Sequence, residues 1–194
     1  LFQRKTISAE EYDSARASTP NAHYTSPEVV RFMWNALQKM GLKGGRILEP
    51  SMGTGIFYGL IPETMTAKLS GVELDSISGR IAKQLYQDSD IRVMGYETTK
   101  FPNDFFDLVI SNVPFGDYKV HDPAYNKFNV NIHDYFFLKS LDKVRPGGIV
   151  AFITSHYTMD AKSSRIRDLI AQKADLLAAV RLPETAFQGI ANTE

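Results

Sequence analysis

The chain has 194 residues, a formal net charge of zero and no cysteine. This length supports one α/β domain with a substantial core, and it is too short for two large domains. The balanced charge gives no argument for a nucleic-acid partner, although a local basic face is compatible with it. The absence of cysteine excludes disulfides and thiolate metal sites, and the four histidines lack metal-ligand spacing, so no bound metal is expected.

The hydropathy of the chain and its first residue predict where the protein is found and how the chain is divided. No segment reaches the length of a membrane span and no signal peptide is visible, so a cytoplasmic protein without membrane contact is expected. The sequence begins at Leu1 rather than at a methionine, and we expect it to be a piece of a longer protein. Residues 1–22 are polar and predict an N-terminal arm, whereas residues 23–194 predict the folded domain.

The stretch SPEVVRFMWNALQKMG predicts the first helix. Ser26 suits the N-cap, Pro27 suits the first turn, and Gly41 suits the end of the helix. The apolar residues on one predicted helical face are Val29, Met33, Ala36, Leu37 and Met40.

From residue 46 onward, strand-like and helix-like segments alternate. The predicted strands are 46–50, 68–74, 91–97, 105–112, 147–155 and 176–183. The intervening helices are predicted in GIFYGLIPETM, SISGRIAKQLYQ, HDYFFLKSLDKV and SSRIRDLIAQK. Several strands are continuously apolar, as strands covered on both faces require. The pattern predicts a doubly wound, mostly parallel sheet, in which ligands bind beyond the carboxyl ends of the strands.

A glycine turn follows the first predicted strand, in LEPSMGTG. Gly53 and Gly55 would let the backbone approach a ligand before a helix begins, although a tight strand-to-helix turn alone would also need them. The third glycine of a dinucleotide fingerprint is missing. Glu49 would repel a phosphate and attract an ammonium or sulfonium group, so the turn favours a cationic ligand over a pyrophosphate.

Acidic residues follow the next two strands. Glu73, in GVELD, lies 18 positions beyond Gly55, a spacing typical of an acid that accepts hydrogen bonds from ribose hydroxyls. The alternative is a surface acid that caps the next helix, a role that Asp75 suits better. In GYETT, Glu97 or Thr98 would meet an adenine ring, or Glu97 would be an ordinary loop acid.

The fourth strand ends in Asn112, Val113, Pro114 and Phe115, which resemble the (Asp/Asn/Ser)-Pro-Pro-(Tyr/Phe/Trp) motif of S-adenosylmethionine-dependent amino-group methyltransferases. The segments HYTSP, ILEPSMGTG, GVELD, DLVISNVPFG, DYFFLKSL and RPGGIVAFITS follow the order found in adenine-N6 DNA methyltransferases. RLPETAF resembles the sixth-strand segment of type I restriction modification subunits. NVPFGDYKV also resembles methyltransferase domains fused to helicases in proteins of phages and conjugative elements. The resemblance covers residues 23–194.

This resemblance implies a Rossmann-like class I methyltransferase domain whose seventh strand is missing from this chain. It implies S-adenosylmethionine as the cofactor and methyl transfer to the N6 amine of adenine in DNA. DNA would be the partner, with a fused or associated helicase and a target-recognition domain. The implied cofactor residues are Tyr24, Thr25, Glu49, Pro50, Ser51, Gly53, Gly55, Glu73, Leu74, Glu97 and Thr98. The alternatives are a catalytically silent nucleic-acid-binding or scaffold module, and a methyltransferase acting on RNA or on glutamine in proteins.

The opening of the motif suits chemistry on an amine. The exocyclic amine of adenine is a poor nucleophile, and two acceptors aimed at its hydrogens would expose its lone pair. The Asn112 side-chain oxygen and the Val113 carbonyl are the candidates, and Phe115 would stack on the extruded base. Val113 stands where the family has proline. If only the backbone carbonyl of this residue matters, Val113→Pro should be tolerated. Valine would make the loop less rigid than proline does, and the activity would be lower as a result.

A long connection, residues 115–133, follows the motif. Connections of this length in compact domains are usually functional. Tyr118, Lys119 and Lys127 combine aromatic and cationic side chains, which suits a single-stranded or flipped nucleotide. The alternative is a mobile lid that only crystal contacts or the cofactor would order.

Overall fold

The computed structural model describes residues 25–183 and residue 186. Tyr24 and the predicted arm, residues 1–22, lie outside these residues. Within the described part of the chain, no helix combines the length and apolar character needed to cross a membrane. The same part contains no group of three or more histidine, aspartate or glutamate side chains placed to hold a metal ion.

Helix α1 (Pro27–Lys39) begins and ends close to where the sequence predicts. The Ser26 hydroxyl accepts a hydrogen bond from the N–H of Val29 (3.3 Å), so Ser26 is the N-cap. Gly41 follows the helix with a φ of +96°, a backbone conformation that glycine adopts without steric cost. The sequence signals at both ends of this helix are confirmed.

The buried face of α1 differs from the predicted one. Val30, Trp34 and Leu37 are buried, whereas Met40, predicted on the apolar face, is exposed. The indole N–H of Trp34 donates a hydrogen bond to the backbone carbonyl of Phe57 (3.0 Å). This buried donor needs a partner, and the bond draws the tryptophan face of the helix toward the sheet.

Five strands form one sheet in the described part of the chain. They are β1 (Gly44–Glu49), β2 (Thr66–Glu73), β3 (Asp90–Val93), β4 (Phe106–Asn112) and β5 (Val144–Ile153). The other helices are α2 (Ile56–Gly59), α3 (Ser76–Leu85), α4 (Ile132–Lys143), α5 (Tyr157–Asp160) and α6 (Arg165–Ala171), with 3-10 turns at Tyr96–Thr98 and Asn126–Phe128.

The strand order is β3-β2-β1-β4-β5, and every neighbouring pair is parallel. The chain winds from β1 outward to β3, returns to the centre, and then winds from β4 to β5 in the opposite direction. The predicted doubly wound parallel sheet is therefore confirmed. The winding reverses between β1 and β4, and their carboxyl ends form the crevice where ligands bind in such sheets.

Apolar clusters cover both faces of the sheet. Consecutive residues of β1 divide between them: Leu48 belongs to the cluster with Tyr96, and Ile47 belongs to the cluster with Trp34. Helix α4 packs in the first cluster through Phe136 and its neighbours. Successive side chains of a strand point to opposite faces, which explains why the strands read as continuous apolar runs.

The strand predicted over residues 176–183 is wrong, because this described segment has no regular secondary structure. Leu176 is 70% exposed and Leu177 is 64% exposed, and Val180 is exposed as well. Leu182, near the end of the segment, is partly buried against the core. The Arg181 guanidinium instead donates a hydrogen bond to the Asp160 carboxylate on α5 (2.8 Å). An apolar run becomes a strand only when it pairs with a neighbour, and residues 176–183 pair with none of the described strands.

Candidate active site

The loops that follow the strands meet at the carboxyl edge of the sheet. Residues 50–55 follow β1, and residues 113–131 follow the adjacent β4. The turn Tyr96–Thr98 lies just beyond β3. The fold thus brings the predicted glycine turn, acidic residues and Asn-Val-Pro-Phe motif to one edge.

The glycine turn has two glycines in the left-handed region, and they differ in their surroundings. Gly53 has a φ of +55°, and a Cβ added there would meet no atom within 4 Å. Gly55 has a φ of +91°, and its Cβ would lie 2.4 Å from the ring of Tyr86. The Tyr86 hydroxyl donates to the Gly55 carbonyl (2.6 Å). Gly55 therefore serves local packing, whereas Gly53 faces open space that a ligand can enter.

Glu73 is buried at the end of β2, and its carboxylate links the glycine turn after β1 to the segment after β2. One carboxylate oxygen accepts a hydrogen bond from the N–H of Gly53 (2.7 Å), and the other accepts one from the N–H of Asp75 (2.8 Å). Burial raises the pKa of the Glu73 carboxyl, although these two N–H groups oppose the rise. Asp75 is the residue that caps α3, through the N–H of Ser78 (2.9 Å). Each carboxylate oxygen has a second lone pair, so Glu73 retains capacity for ribose hydroxyls.

Glu49 is 1% exposed at the end of β1. Its Oε2 atom has no hydrogen-bond partner among the residues that the structure describes. Burial, followed by the negative charge of Glu73, raises the pKa of the Glu49 carboxyl well above its ordinary value of 4.5. A buried acceptor of this kind, next to a second acid, would be satisfied by a cationic ligand.

Asn112 ends β4 and is fixed by a residue far away in sequence. Its side-chain Nδ2 donates a hydrogen bond to the hydroxyl of Thr25 (3.1 Å). The preceding residue, Ser111, donates from its hydroxyl to the carbonyl of Ser51 in the glycine turn (3.1 Å). The end of β4 is therefore joined both to the segment before α1 and to the turn after β1, and the Asn112 side chain is held at this junction.

Val113 continues the hydrogen-bond ladder between β4 and β5. Its N–H donates to the carbonyl of Ile153 (3.0 Å), and its side chain is buried among core residues that include Leu48 and Tyr96. Proline has no N–H and could not make this bond. Valine at this position is therefore a structural part of the sheet end. Pro114 and Phe115 follow it and are half-buried.

The remaining residues predicted to bind the cofactor line the same edge. Leu74 is 62% exposed, an unusual state for a leucine directly after a buried strand. Thr98 is exposed but bonded through its hydroxyl to the carbonyl of Gly95 (2.8 Å), and Glu97 beside it is half-buried. Pro50 is buried directly after Glu49. The structure gathers these side chains at one edge without defining their ligands.

The connection after the motif is packed in its second half. Tyr118 and Lys119 are exposed, and Lys119 Nζ donates to the Asn129 side chain within the same connection (2.7 Å). Lys127 is also exposed, with its Nζ 5.1 Å from the centre of the Phe128 ring. All three residues predicted to touch nucleic acid are accessible, whereas Asp122 and Tyr125 in the same connection are buried against α4.

Sequence reasoning missed two residues at this edge, Lys139 and Asp122. Lys139 is 3% exposed, and its Nζ lies 2.9 Å from the Asp122 carboxylate. Burial lowers the pKa of Lys139, although the hydrogen bond to Asp122 opposes this shift. Burial alone would raise the pKa of Asp122, but the hydrogen bonds from Lys139 and Tyr135 outweigh it, and the pKa of Asp122 is lowered. In the sequence, the sign of this buried pair was a lysine one helical turn beyond Tyr135, on an otherwise apolar face of the predicted helix.

The sheet order and the edge just described define the class of protein, that of class I methyltransferases. The modification subunit of a type I restriction enzyme from Vibrio vulnificus superposes with a TM-score of 0.61 at 20% identity, covering 82% of this chain and 40% of that chain. A protein described as a class I S-adenosylmethionine-dependent methyltransferase from Listeria monocytogenes gives a TM-score of 0.57 at 17% identity, covering 82% and 55%. The predicted Rossmann-like methyltransferase fold is confirmed.

The family follows from the sequence. The model of the Eco57I restriction-modification methylase family matches residues 57–187. This match covers more than half of the chain, and the chain belongs to that family. The methylase family and this fold identify the chain as a methyltransferase with S-adenosylmethionine as its cofactor.

Two curated relatives extend well beyond the chain. Defense against restriction protein B of Escherichia phage P1 is 30% identical over 191 residues, covering 95% of this chain and 8% of the phage protein. The type II methyltransferase M.HincII of Haemophilus influenzae is 22% identical over 196 residues, covering 93% and 37%. The chain therefore spans less than half of the length of either relative. The substrate and the roles of single residues stay predictions.

Proposed function

We propose that this domain methylates the N6 amine of adenine in DNA. The observation that carries the proposal is the position of the Asn112 side chain, which contacts the Thr25 hydroxyl at the end of β4, beside the switch point and directly before Val113-Pro114-Phe115. With Nδ2 donating to Thr25, Oδ1 is the acceptor end of the amide. Asn112 Oδ1 and the Val113 carbonyl would accept the two hydrogens of the amine, and Phe115 would stack on the flipped base.

The residues on the other side of the switch point fit the cofactor. When bound, S-adenosylmethionine supplies a methyl group activated by a sulfonium charge. The buried Glu49 carboxylate, with Oε2 lacking a protein partner in the described residues, suits the cationic methionine end. Thr25 and Tyr24 would line that end, the latter lying outside the described residues. Pro50, Ser51 and Gly53 would border the ligand, with Gly55 supporting the turn.

The ribose and adenine would lie toward β2 and β3. Glu73 would accept the ribose hydroxyls with the lone pairs not used by Gly53 and Asp75. The exposed Leu74 side chain would cover one face of the adenine, and Glu97 or Thr98 would bond its edge. Placement of both reactants at one crevice contributes to rate by proximity.

The DNA substrate is supported by the restriction-modification family and by the relatives named above. Tyr118, Lys119 and Lys127 are the proposed nucleic-acid contacts of this chain. A helicase and a target-recognition domain, fused or associated, belong to the proposal for the whole protein. Val113, one of the two grounds for the silent-scaffold alternative, has a structural reason in its bond to Ile153, so it is not by itself an argument against catalysis.

The proposal is tested by substitutions at Asn112. Asn112→Ala should abolish transfer of labelled methyl groups to DNA while the calorimetric affinity for S-adenosylmethionine changes little, because the amide acts on the substrate amine. Asn112→Asp should retain part of the activity, because an acceptor oxygen remains. Asn35→Ala, an exposed position on α1, is the matched control. The methylated base is identified by nuclease digestion and mass spectrometry. Product other than N6-methyladenine, or full activity in Asn112→Ala, would refute the assignment.

A further inference from the structure

Lys139 occupies the apolar face of α4, yet all three of its ammonium hydrogens have acceptors. Its Nζ donates to the carbonyl of Tyr96 (2.7 Å), to the carbonyl of Glu97 (3.3 Å) and to the carboxylate of Asp122 (2.9 Å). Lysine has three donors, so the group is saturated. None of these acceptors belongs to α4 itself.

The acceptors come from two separate segments of the active-site edge. Tyr96 and Glu97 form the turn after β3, where the adenine end of the cofactor is proposed to bind. Asp122 belongs to the connection that follows the Asn112–Phe115 motif. Lys139 thus joins the turn after β3 to the connection after β4.

Each segment is also held firmly on its own side of the lysine. On the connection side, the Tyr135 hydroxyl donates to the Asp122 carboxylate (2.8 Å), and Asp122 accepts a bond from the N–H of Ala124 (3.1 Å). On the other side, the Tyr96 hydroxyl is within hydrogen-bond distance of Ser140 Oγ (3.2 Å). A movement of either segment would therefore disturb the lysine rather than be absorbed locally.

The surroundings of the ammonium group favour a positioning role over a purely stabilising one. The rings of Tyr96, Tyr125 and Tyr135 lie 4.8, 6.0 and 5.7 Å from Nζ. Replacing a buried ion pair by apolar groups is often neutral for stability, so the pair is better explained by the geometry that it imposes. Both joined segments line one cleft of about 660 Å³, together with Lys139.

We infer that Lys139 is a positioning residue that couples the adenine end of the cofactor site to the connection carrying the proposed DNA contacts. The inference rests on the proposed function, because that function places the adenine at Glu97 and Thr98. Cofactor binding would fix the turn after β3, and Lys139 would transmit this order to residues 116–131. The substrate side of the site would then be ordered when the cofactor is in place.

The test is hydrogen exchange of the backbone amides of residues 116–131, with and without S-adenosylhomocysteine, in the 194-residue chain. In the wild type, the ligand should slow exchange in this segment by at least about fivefold. In the double variant Lys139→Met/Asp122→Asn, which leaves no uncompensated buried charge, this ligand-dependent protection should disappear, with a rise in Kd of no more than about tenfold.

Two further variants sharpen the test. Lys143→Met makes the same change one helical turn further along α4, where Nζ bonds only the Asn103 side chain among the described residues (2.6 Å), and it should retain the protection. Lys139→Leu/Asp122→Asn is a second replacement that leaves no buried charge, and it serves if the first double variant does not fold. It should likewise lose the protection, with the same limit on the rise in Kd.

The outcomes separate this inference from the proposed function. A wild-type chain that binds no ligand at millimolar concentration overturns the proposed function and the coupling with it. Binding with protection retained in both double variants overturns the coupling alone. Binding by the wild type without any protection of residues 116–131 also overturns the coupling alone.

Discussion

The N–H of Val113 donates a hydrogen bond to the carbonyl of Ile153, which lengthens the pairing of β4 and β5 at the active-site edge. Val113→Pro should therefore destabilise the protein by about 1–3 kcal/mol, because it removes this donor and leaves a buried carbonyl unpaired. The expectation from the sequence, that proline would be tolerated here, is not supported by this geometry.

Urea unfolding of Val113→Pro measures this effect. Val113→Ile, which keeps both the N–H and the apolar side chain, is the control and should unfold within about 1.5 kcal/mol of the wild type. A Val113→Pro protein as stable as the wild type would show that the hydrogen bond contributes nothing.

Glu49 should lower the stability of the ligand-free protein at neutral pH. Because its pKa is raised in the folded state, its contribution to stability is fully present below 4.5, the unfolded value, and is lost as the pH rises through the raised folded pKa. Glu49→Gln removes the buried charge and should stabilise the ligand-free chain at pH 8 by on the order of 1 kcal/mol. The same substitution should weaken binding of S-adenosylmethionine.

Thermal unfolding of the wild type and Glu49→Gln at pH 8 and pH 4.5 checks the sign. The difference in Tm should be largest at pH 8 and should shrink at the lower pH, where the wild-type carboxyl is increasingly protonated. An equal difference at both pH values would contradict the raised pKa of Glu49.

The two glycines of the turn should respond differently to alanine. Gly55→Ala should cost about 2–3 kcal/mol, because its Cβ meets the Tyr86 ring at 2.4 Å in addition to the backbone strain. Gly53→Ala should cost only the strain of about 1–2 kcal/mol, because its Cβ meets no protein atom within 4 Å.

Affinity for the cofactor should reverse this order. Gly53→Ala places a methyl group in the space proposed for the ligand and should raise the Kd more than Gly55→Ala does. Denaturant unfolding and calorimetry on both proteins measure the two effects. A larger loss of affinity in Gly55→Ala would argue against a ligand beside Gly53.

The chain alone should bind duplex DNA weakly and without marked sequence preference. Its net charge is zero, so the nonspecific phosphate contribution is small. Single-stranded DNA should bind better through Tyr118, Lys119 and Lys127, because no base has to be unpaired. Fluorescence anisotropy at two salt concentrations measures both forms.

Charge reversal at Lys127 tests the surface directly. Lys127→Glu should weaken single-stranded DNA binding, whereas Lys43→Glu should not, because exposed Lys43 lies before β1, at the opposite end of the strands. Equal losses of DNA affinity in both variants would mean that DNA responds to the overall charge rather than to this connection. Tight, sequence-selective duplex binding by this chain would reveal a recognition surface other than this connection.

The sequence predicted what depends on short-range patterns. The cap of α1 by Ser26, the position of Asp75 before α3 and the parallel sheet all follow from residue types at fixed local spacings. The strand predicted over 176–183 was wrong because pairing depends on a distant neighbour, and none of the described strands pairs with this segment.

The sequence predicted those parts of the site that lie in short continuous motifs. Glu49, Glu73 and Asn112 each end a strand, so their common edge followed from the predicted topology. The contacts that orient them did not follow, because Lys139 and Asp122 are 17 positions apart and carry no shared motif. A buried lysine is visible in sequence only as an exception on an apolar helix face.

The hydrogen bond between Asn112 and Thr25 joins residues 87 positions apart. Such a contact forms late in folding, because closing a long loop precedes any gain from the contact. It also depends on Thr25, which lies directly before α1 and outside the sheet, and segments outside the core strands open locally at lower free energies. The placement of the Asn112 side chain is therefore a property of the completed fold, and heating should release it while the parallel sheet is still intact.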